Sequence, residues 1–282
     1  MRKFLRKIFL NNFKNIFFMI INSDSKYFEF NKIELKIKKK SKLGKKDDRL
    51  ITRFDQIITP KILNTGEWEY FVIKFILKYS KNKNCKYHFF DIGSNIGLIS
   101  KQLLMQNNSI EKLHCIEPEK NNFEILKNNL IQYKNVLFYN FALTNNKLKK
   151  KKIFLSKENF GDFSLLKNLN NHYSFIDTVN INLFFRKMIL KYKIKNIIYK
   201  SDTQGFDETL IFSLDKKILN KIDILILEIS NFKYLMKNKN KLINIIKDFK
   251  VIEDERGQKI NLDMILKKIN KQKEFNLLIS RY

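Results

Sequence analysis

The sequence predicts an α/β fold, a mostly parallel sheet with helices on both faces. Three observations predict it. The run Tyr87-His88-Phe89-Phe90-Asp91-Ile92-Gly93-Ser94-Asn95-Ile96-Gly97 passes from unbroken apolar residues through a glycine-bearing turn into an apolar-periodic stretch at 96–105, the pattern strand, turn, helix. The same rhythm repeats further along, and alternating strands and helices imply parallel pairing with right-handed crossovers. Finally, 44% hydrophobic and 13% aromatic residues in a chain of 282 suit a folded globule rather than disorder.

Each element can be justified in order. Residues 1–22 start basic and continue apolar, but Asn11, Asn12, Lys14 and Asn15 interrupt the run. Without a small-residue cleavage site they do not fit a secretory leader, and they are too short and polar to span a bilayer. They fit an amphipathic helix that packs on the domain or touches a membrane surface. Residues 27–40 alternate as a strand or hairpin, 38–49 form a charged loop, and 57–62 are readable either way. Asn64-Thr65-Gly66-Glu67 reads as a turn into a helix on which Trp68, Phe71, Val72, Phe75, Ile76 and Tyr79 recur at helical spacing. We therefore divide the chain into an N-terminal extension, 1–64, and a main domain, 65–282.

Beyond the central turn, 112–116 reads as a second strand. Pro118 opens a helix with the stripe Phe123, Leu126, Leu130 and Tyr133, proline being well placed in a first turn. Residues 136–143 read as a third strand, and 144–152 as a solvated, lysine-rich loop. Residues 153–155 and 180–184 read as short strands around an irregular section. A strand at 196–201 ends at Asp202 and leads to a helix from about 206. Residues 222–229 form the clearest buried strand of the second half, followed by a helix at 234–249 and strands at 250–253 and 275–280.

Lysine and arginine total 56 against 28 acidic residues, a formal charge of +28. Such a balance draws anionic partners. The lysines are scattered, however, where a nucleic-acid footprint gathers on one element. Abundant Lys, Asn, Ile and Phe beside few Gly and Pro is also what A/T-rich coding produces, so nucleic acid is not the expected partner. Cys85, Cys115 and three histidines offer no CxxC and no Cys/His cluster, so no zinc site is expected, and Cys115 reads as a buried thiol; Asp202, Glu228 and Asn231 are the alternative, as oxygen ligands for a divalent cation. These features place the protein in the cytoplasm, with weak membrane-surface contact through residues 1–22 as the one membrane option.

The residues that could carry chemistry stand at strand ends. In an open α/β sheet, ligands bind there. Gly93 can take backbone angles closed to other residues and lets a ligand approach the main chain, and Gly97 lets the helix pack close to the strand. From Asp91 the spacing is D-x-G-x-N-x-G. It lacks the third glycine of a dinucleotide fingerprint, and Asp91 would repel a pyrophosphate. S-adenosylmethionine fits better: loop N–H groups can take its carboxylate, and acidic side chains its amine and ribose. Asp91, Glu117, Asp202 and Glu228 each end a strand-like run. Taken singly, each also reads as a helix cap or ion-pair partner, and a glycine turn joins strands to helices in many proteins. Four acids at equivalent strand ends point to a shared cationic or hydroxyl-rich ligand.

On these motifs the chain resembles the FkbM family of S-adenosylmethionine-dependent methyltransferases. Phe90-Asp91-Ile92-Gly93-Ser94-Asn95-Ile96-Gly97 is similar to the family's first motif, and Ile116-Glu117-Pro118 with Asn122-Phe123-Glu124 to its second. Phe141-Ala142-Leu143-Thr144 resembles the stretch that passes the adenine, Phe163-Ser164-Leu165 the serine-bearing central segment, and Leu227-Glu228-Ile229 the last strand of the match. Lys200-Ser201-Asp202-Thr203-Gln204-Gly205-Phe206-Asp207 resembles the distinguishing signature K-x-D-x-E/Q-G-F/Y-E/D. The likeness covers roughly residues 65–230. It implies a Rossmann-like class I methyltransferase sheet of seven strands, with Asp91, Gly93, Asn95, Gly97, Glu117 and Ala142 at the cofactor. It also implies O-methylation of a hydroxyl on a sugar, glycan or other small molecule, anionic acceptors included. The chain departs from the family in two places. Asn182-Leu183-Phe184-Phe185 stands where a Leu-Asp-Asp sequence is usual, and Gln204 replaces the commoner glutamate.

Methyl transfer to an alcohol needs positioning, exclusion of water and somewhere for the proton to go. Asp202 is the first candidate for base or substrate orienter and His172 the second. Gln204 and Glu228 are expected at the substrate; the amide can orient a hydroxyl but cannot act as a base. The helix at 68–79, with Glu67 and Glu69 near it, and the section 156–180 are expected to cover the site. Two other functions stay open. One is a non-catalytic module that keeps the cofactor fold, for which the absent Leu-Asp-Asp carboxylate speaks. The other is a nucleic-acid methyltransferase, for which the charge speaks, although no appended module, aromatic-basic strip or Asn-Pro-Pro-Tyr-type motif is visible.

Overall fold

Seven of the nine runs expected as strands between residues 87 and 280 join a single sheet; those at 153–155 and 180–184 do not. The structure, a computed structural model, describes residues 33–36, 41–45, 48–53, 57–80, 85–106, 109–147, 149–156, 161–166 and 172–282. The helix expected at 1–22 lies outside them, as do most of the alternating segment at 27–40 and part of the section 156–180. No described helix is long and apolar enough to cross a membrane.

In chain order, β1 (Ile33–Lys36) and β2 (Arg49–Thr52) form a hairpin, followed by α1 (Ile58–Thr65) and α2 (Tyr70–Ser80). The central unit is β3 (Tyr87–Ile92), α3 (Leu98–Leu104), β4 (Ile110–Ile116), α4 (Lys120–Leu130) and β5 (Val136–Tyr139). An insertion follows, made of β6 (Ala142–Thr144), β7 (Lys150–Phe154) and β8 (Tyr173–Asn180), and leads to α5 (Ile181–Tyr192). The second half comprises β9 (Ile197–Ser201), α6 (Asp207–Ser213), α7 (Lys216–Leu219), β10 (Ile222–Ile229), α8 (Phe232–Lys237), α9 (Lys239–Lys247), β11 (Val251–Glu253), α10 (Leu262–Asn270) and β12 (Phe275–Ser280).

The main sheet has the order β11-β12-β10-β9-β3-β4-β5. Pairings from β5 to β10 are parallel, and β12 runs antiparallel to both of its neighbours. This is the Rossmann-like class I arrangement. From β3 the chain moves outward through β4 and β5, then returns to β9 on the other side of β3. That reversal is the switch point beside which such sheets bind ligands.

Strand alternation builds two cores. Tyr87, Phe89, Ile198, Ile224 and Ile226 face one layer with α2, α3 and α4. Phe90, Ile92, Ile197, Tyr199, Leu225 and Leu227 face the other, with α5, α6, α9 and α10. A third cluster joins Leu43, Leu50, Ile58 and Ile62 to Ile96, Leu98 and Ile125, so the segment before residue 64 is packed onto α3 and α4, and α1 runs through the expected boundary. Cys115 is a buried free thiol.

Several expected elements differ. Residues 57–62 settle as helix. The strand expected over 136–143 is cut at Asn140, whose Nδ2 donates to the carbonyls of Glu117 and Pro118 at 2.9 and 3.1 Å; its second part, β6, pairs with β8 in a separate three-stranded sheet. The strand expected at 180–184 is instead the start of α5: Asn180 Oδ1 accepts from the N–H groups of Asn182 and Leu183 and caps a helix. Lysines 150–152, expected in a loop, belong to β7, which pairs with β8. Pro118 lies before the cap of α4 rather than in its first turn, and Glu119 is the cap. The helix expected over 234–249 breaks at Asn238 into α8 and α9. The expectations had no place for α10.

Gly97 caps α3 at φ 83, and a Cβ there would lie 2.7 Å from Leu126 Cδ1. The glycine therefore admits a helix neighbour, α4, rather than the strand. The left-handed backbone and the crowding together make Gly97→Ala cost about 1–3 kcal/mol. Urea unfolding should show that loss as a lower midpoint at unchanged slope.

Candidate functional site

A cavity of about 480 Å³ opens at the carboxyl ends of β3, β4, β9 and β10. Its shape begins with the turn after β3. Gly93 and Ser94 both donate to the Ile116 carbonyl, Asn95 donates to Glu117 Oε2 at 2.8 Å, and Gly97 donates to the Ser94 carbonyl. These N–H groups are thus used internally and are not left for a ligand carboxylate, contrary to the expectation. Gly93 has φ 75, and a Cβ built on it would sit 1.9 Å from the Asp202 carbonyl oxygen. The group that approaches its main chain is the end of β9.

Glu117 lines the cavity with both oxygens engaged from behind: Oε1 accepts from Glu119 N at 2.9 Å and Oε2 from Asn95 N. Burial pushes its pKa up to about 8, against the pull of those two N–H donors. Each oxygen still has a lone pair for a ligand hydroxyl. Asn95, at φ 49, and Ala142 also line the cavity, and Asn95 Oδ1 is buried without a hydrogen-bond partner among the described residues.

Asp91 and Gly97 do not line it. Asp91 is fully buried beneath the turn, accepting from Ser100 Oγ at 2.6 Å and pairing with Lys200 Nζ at 3.1 Å. It is an internal counter-ion, so the amine or ribose of a ligand would have to meet other acids. Lys200 also donates to the Gly93 carbonyl and stands 3.9 Å from Asp202 Oδ2. Burial alone would lower its pKa, but Asp91, Asp202 and Glu69 outweigh that and hold the ammonium above the ordinary lysine range.

Asp202, Gln204 and Glu228 are brought together as expected. The Gln204 amide donates to Asp202 Oδ1 at 3.0 Å and to Glu228 Oε1 at 3.4 Å. Gln204 sits at φ 54, and its carbonyl accepts from Ser164 Oγ at 2.7 Å, which explains the serine of the central segment. Glu228 is pushed far up by burial and by Asp202, Asp207 and Glu274. Asp207 and Glu208 work below the site. Asp207 accepts from Ser201 Oγ and Thr203 N, and Glu208 from Ser230 N and Asn231 N. Burial, with Asp202 beside the first and Asp207 beside the second, lifts them to about 6 and about 7.

His172 is not brought in. It is exposed on the approach to β8 and does not line the cavity. The cavity also gathers Lys61, Asn122 and Glu274, to which the sequence reading gave no role at the site, while Trp68 and Asp162 come from the two segments expected to cover it. Glu69, expected only near the site, is part of its wall. Nothing in their spacing marks them, since each belongs to a different segment. Among the described residues no group of three side chains could hold a metal ion.

No protein-family model matches the chain, and no curated protein matches it. Among solved structures it is similar to methyltransferase FkbM from Methylobacillus flagellatus, at 15% identity and a TM-score of 0.42 over 78% of this chain and 52% of that one. It is also similar to precorrin-6y C5,15-methyltransferase from Geobacter metallireducens, at 9% identity and a TM-score of 0.38 over 78% and 90% of the two chains. A third likeness is to the human methyltransferase 10 domain containing protein, at 12% identity and a TM-score of 0.35 over 77% and 84%. These are likenesses of fold and give no residue a role.

The raised carboxyl groups have a consequence for the ligand-free protein. A folded-state pKa of about 8 at Glu117, against an ordinary 4.5, means that the folded chain binds more protons than the unfolded one between those values. The contribution of Glu117 to stability is therefore fully present below about 4.5 and is lost as the pH rises through about 8. Thermal melts from pH 5 to 8.5 should show a declining Tm, and Glu117→Gln should flatten the decline.

Proposed function

We propose that this chain is an S-adenosylmethionine-dependent methyltransferase, of the FkbM type its motifs resemble, that methylates a hydroxyl of a sugar, glycan or other small molecule. The observation that carries the reading is Glu117. It stands at the end of the strand next to the glycine turn, at the switch point, with its carboxylate fixed by Asn95 and Glu119 and presented to the cavity. That geometry suits a ribose diol. The cavity also fits such a ligand in size and in its unpartnered Asn95 Oδ1. Glu117, Asn95 and Ala142 would hold the nucleoside half. Because the N–H groups of Gly93, Ser94, Asn95 and Gly97 are occupied, Lys61 is the lining ammonium suited to meet an amino-acid carboxylate: the other, Lys200, is tied to Asp91 and Gly93.

When bound, the cofactor supplies an electrophilic methyl group on a sulfonium. The chain's own residues then bind, orient and desolvate the acceptor. Asp202 and Gln204 face the cavity as a linked acceptor and donor, suited to fixing the direction of an incoming hydroxyl. Glu228 receives the other contact of the same amide and holds it in place. Trp68 and Ile58 line the N-terminal side with apolar surface.

Isothermal titration calorimetry with S-adenosylmethionine tests the reading. Wild type should bind, and Glu117→Ala should weaken binding by about 10–100-fold, the worth of a charge-assisted hydrogen bond or two. Gly93→Val should abolish binding by driving the Asp202 carbonyl out of place. A folded wild type that gives no binding heat ends the proposal.

A nucleic-acid acceptor has one observation of its own, an aromatic-basic face that the sequence reading did not see. On the outer side of the β7–β8 pair, Tyr173 and Phe175 are exposed beside Lys150 and Lys152, with Lys152 Nζ 4.0 Å from the Tyr173 ring centre. Fluorescence anisotropy with a labelled single-stranded RNA decides it: this reading expects salt-dependent binding that Tyr173→Ala with Phe175→Ala weakens at least tenfold, and the small-molecule reading expects none.

A further inference from the structure

Five described residues other than glycine have positive φ. Lys193 and Gln272 belong to helix ends, where a left-handed residue completes the last turn. The other three, Glu69, Asn95 and Gln204, all line the one cavity. Asparagine tolerates this backbone region; glutamate does so poorly. Glu69 holds φ 41 just before α2, where its carbonyl accepts from Val72 N at 3.0 Å. Its carboxyl group takes part in no hydrogen bond or ion pair among the described residues, whereas Glu117, Asp202 and Glu228 are each fixed by a neighbour. A strained backbone that delivers an untethered carboxylate into a cavity does nothing for stability, and strain of this kind gathers where function retains it.

We propose that Glu69 is the catalytic carboxylate that receives the acceptor's proton while Asp202 and Gln204 orient the hydroxyl. The inference rests on the methyltransferase reading. The acceptor O–H bond breaks and its proton passes to a Glu69 oxygen. The freed electron pair forms the new O–C bond as the methyl's bond to sulfur breaks and leaves its pair on sulfur. The charged groups around Glu69 agree with the role. Burial first, then Asp202 and Glu255, raise its pKa, while Lys200 and Lys61 pull it down. The balance, about 7, is that of a base matched to neutral pH.

The test compares wild type with Glu69→Gln and Glu69→Gly. Calorimetry with S-adenosylmethionine should give Glu69→Gln a Kd within about threefold of wild type, since the role lies with the acceptor. Carbon-detected NMR of glutamate-labelled, ligand-free protein should show a carboxyl group titrating at about 7 that Glu69→Gln lacks. Glu69→Gly should raise Tm by about 2–4 °C through relief of the backbone. Together these results support the role. A tenfold loss of cofactor affinity in Glu69→Gln, a lower Tm in both variants, or no missing titration overturns it. So does unchanged S-adenosylhomocysteine formation by Glu69→Gln with a monosaccharide pool of glucose, rhamnose and N-acetylglucosamine that wild type methylates. If wild type itself binds no S-adenosylmethionine, the methyltransferase reading fails and this role with it; wild-type binding with any of the other results removes Glu69 alone.

Discussion

One buried ammonium ties the two halves of the sheet together where the site opens. The Lys200 side chain is 5% exposed, and it reaches from β9 to Asp91 of β3 and to the carbonyl of Gly93. On the same seam, the Asp202 carbonyl occupies the space a Gly93 side chain would need. Asp91 is fully buried, and a buried pair that loses one partner costs about 3–5 kcal/mol. The seam between β3 and β9 is thus held by an ion pair that cannot be broken cheaply and by a backbone contact that only glycine permits. Each cavity residue contributed by these strands takes its position from that seam.

The site reverses the charge of the molecule that carries it. Over the whole chain basic residues outnumber acidic ones 56 to 28. The cavity wall carries Glu69, Glu117, Asp162, Asp202, Glu228 and Glu274 against Lys61 and Lys200. Net charge governs what the protein meets at a distance, whereas the wall governs what is held. Burial shifts Glu69, Glu117 and Glu228 toward their protonated forms in the empty cavity, and a cationic ligand would favour their charged forms.

The main sheet was legible because its strands are buried on both faces and read as continuous apolar runs, as with residues 222–229. Misreadings occurred where a single polar side chain redirects the backbone. Asn140 cuts one strand and Asn180 turns an apolar run into a helix; in this asparagine-rich sequence nothing set those two apart. Glu117, Asp202, Gln204 and Glu228 were legible as strand-end or signature residues. Asp91 was legible as important but not as an internal counter-ion, because its partner Lys200 lies on a distant strand. Glu69 carried no local mark. Its left-handed backbone, at φ 41, is encoded by neither spacing nor propensity.

The antiparallel strand β12 lies between β10 and β11, and β11 has no other neighbour in the sheet. In the chain, β9 and β10 precede residues 275–280, so β10 can pair with β9 before β12 is available to it. Until then β10 is a long, apolar, unpaired edge, the kind of surface that recruits strands from other chains. The sheet closes by insertion rather than by growth at its rim. The strand that completes this sheet is thus an interior one, placed between β10 and β11, which lie before it in sequence.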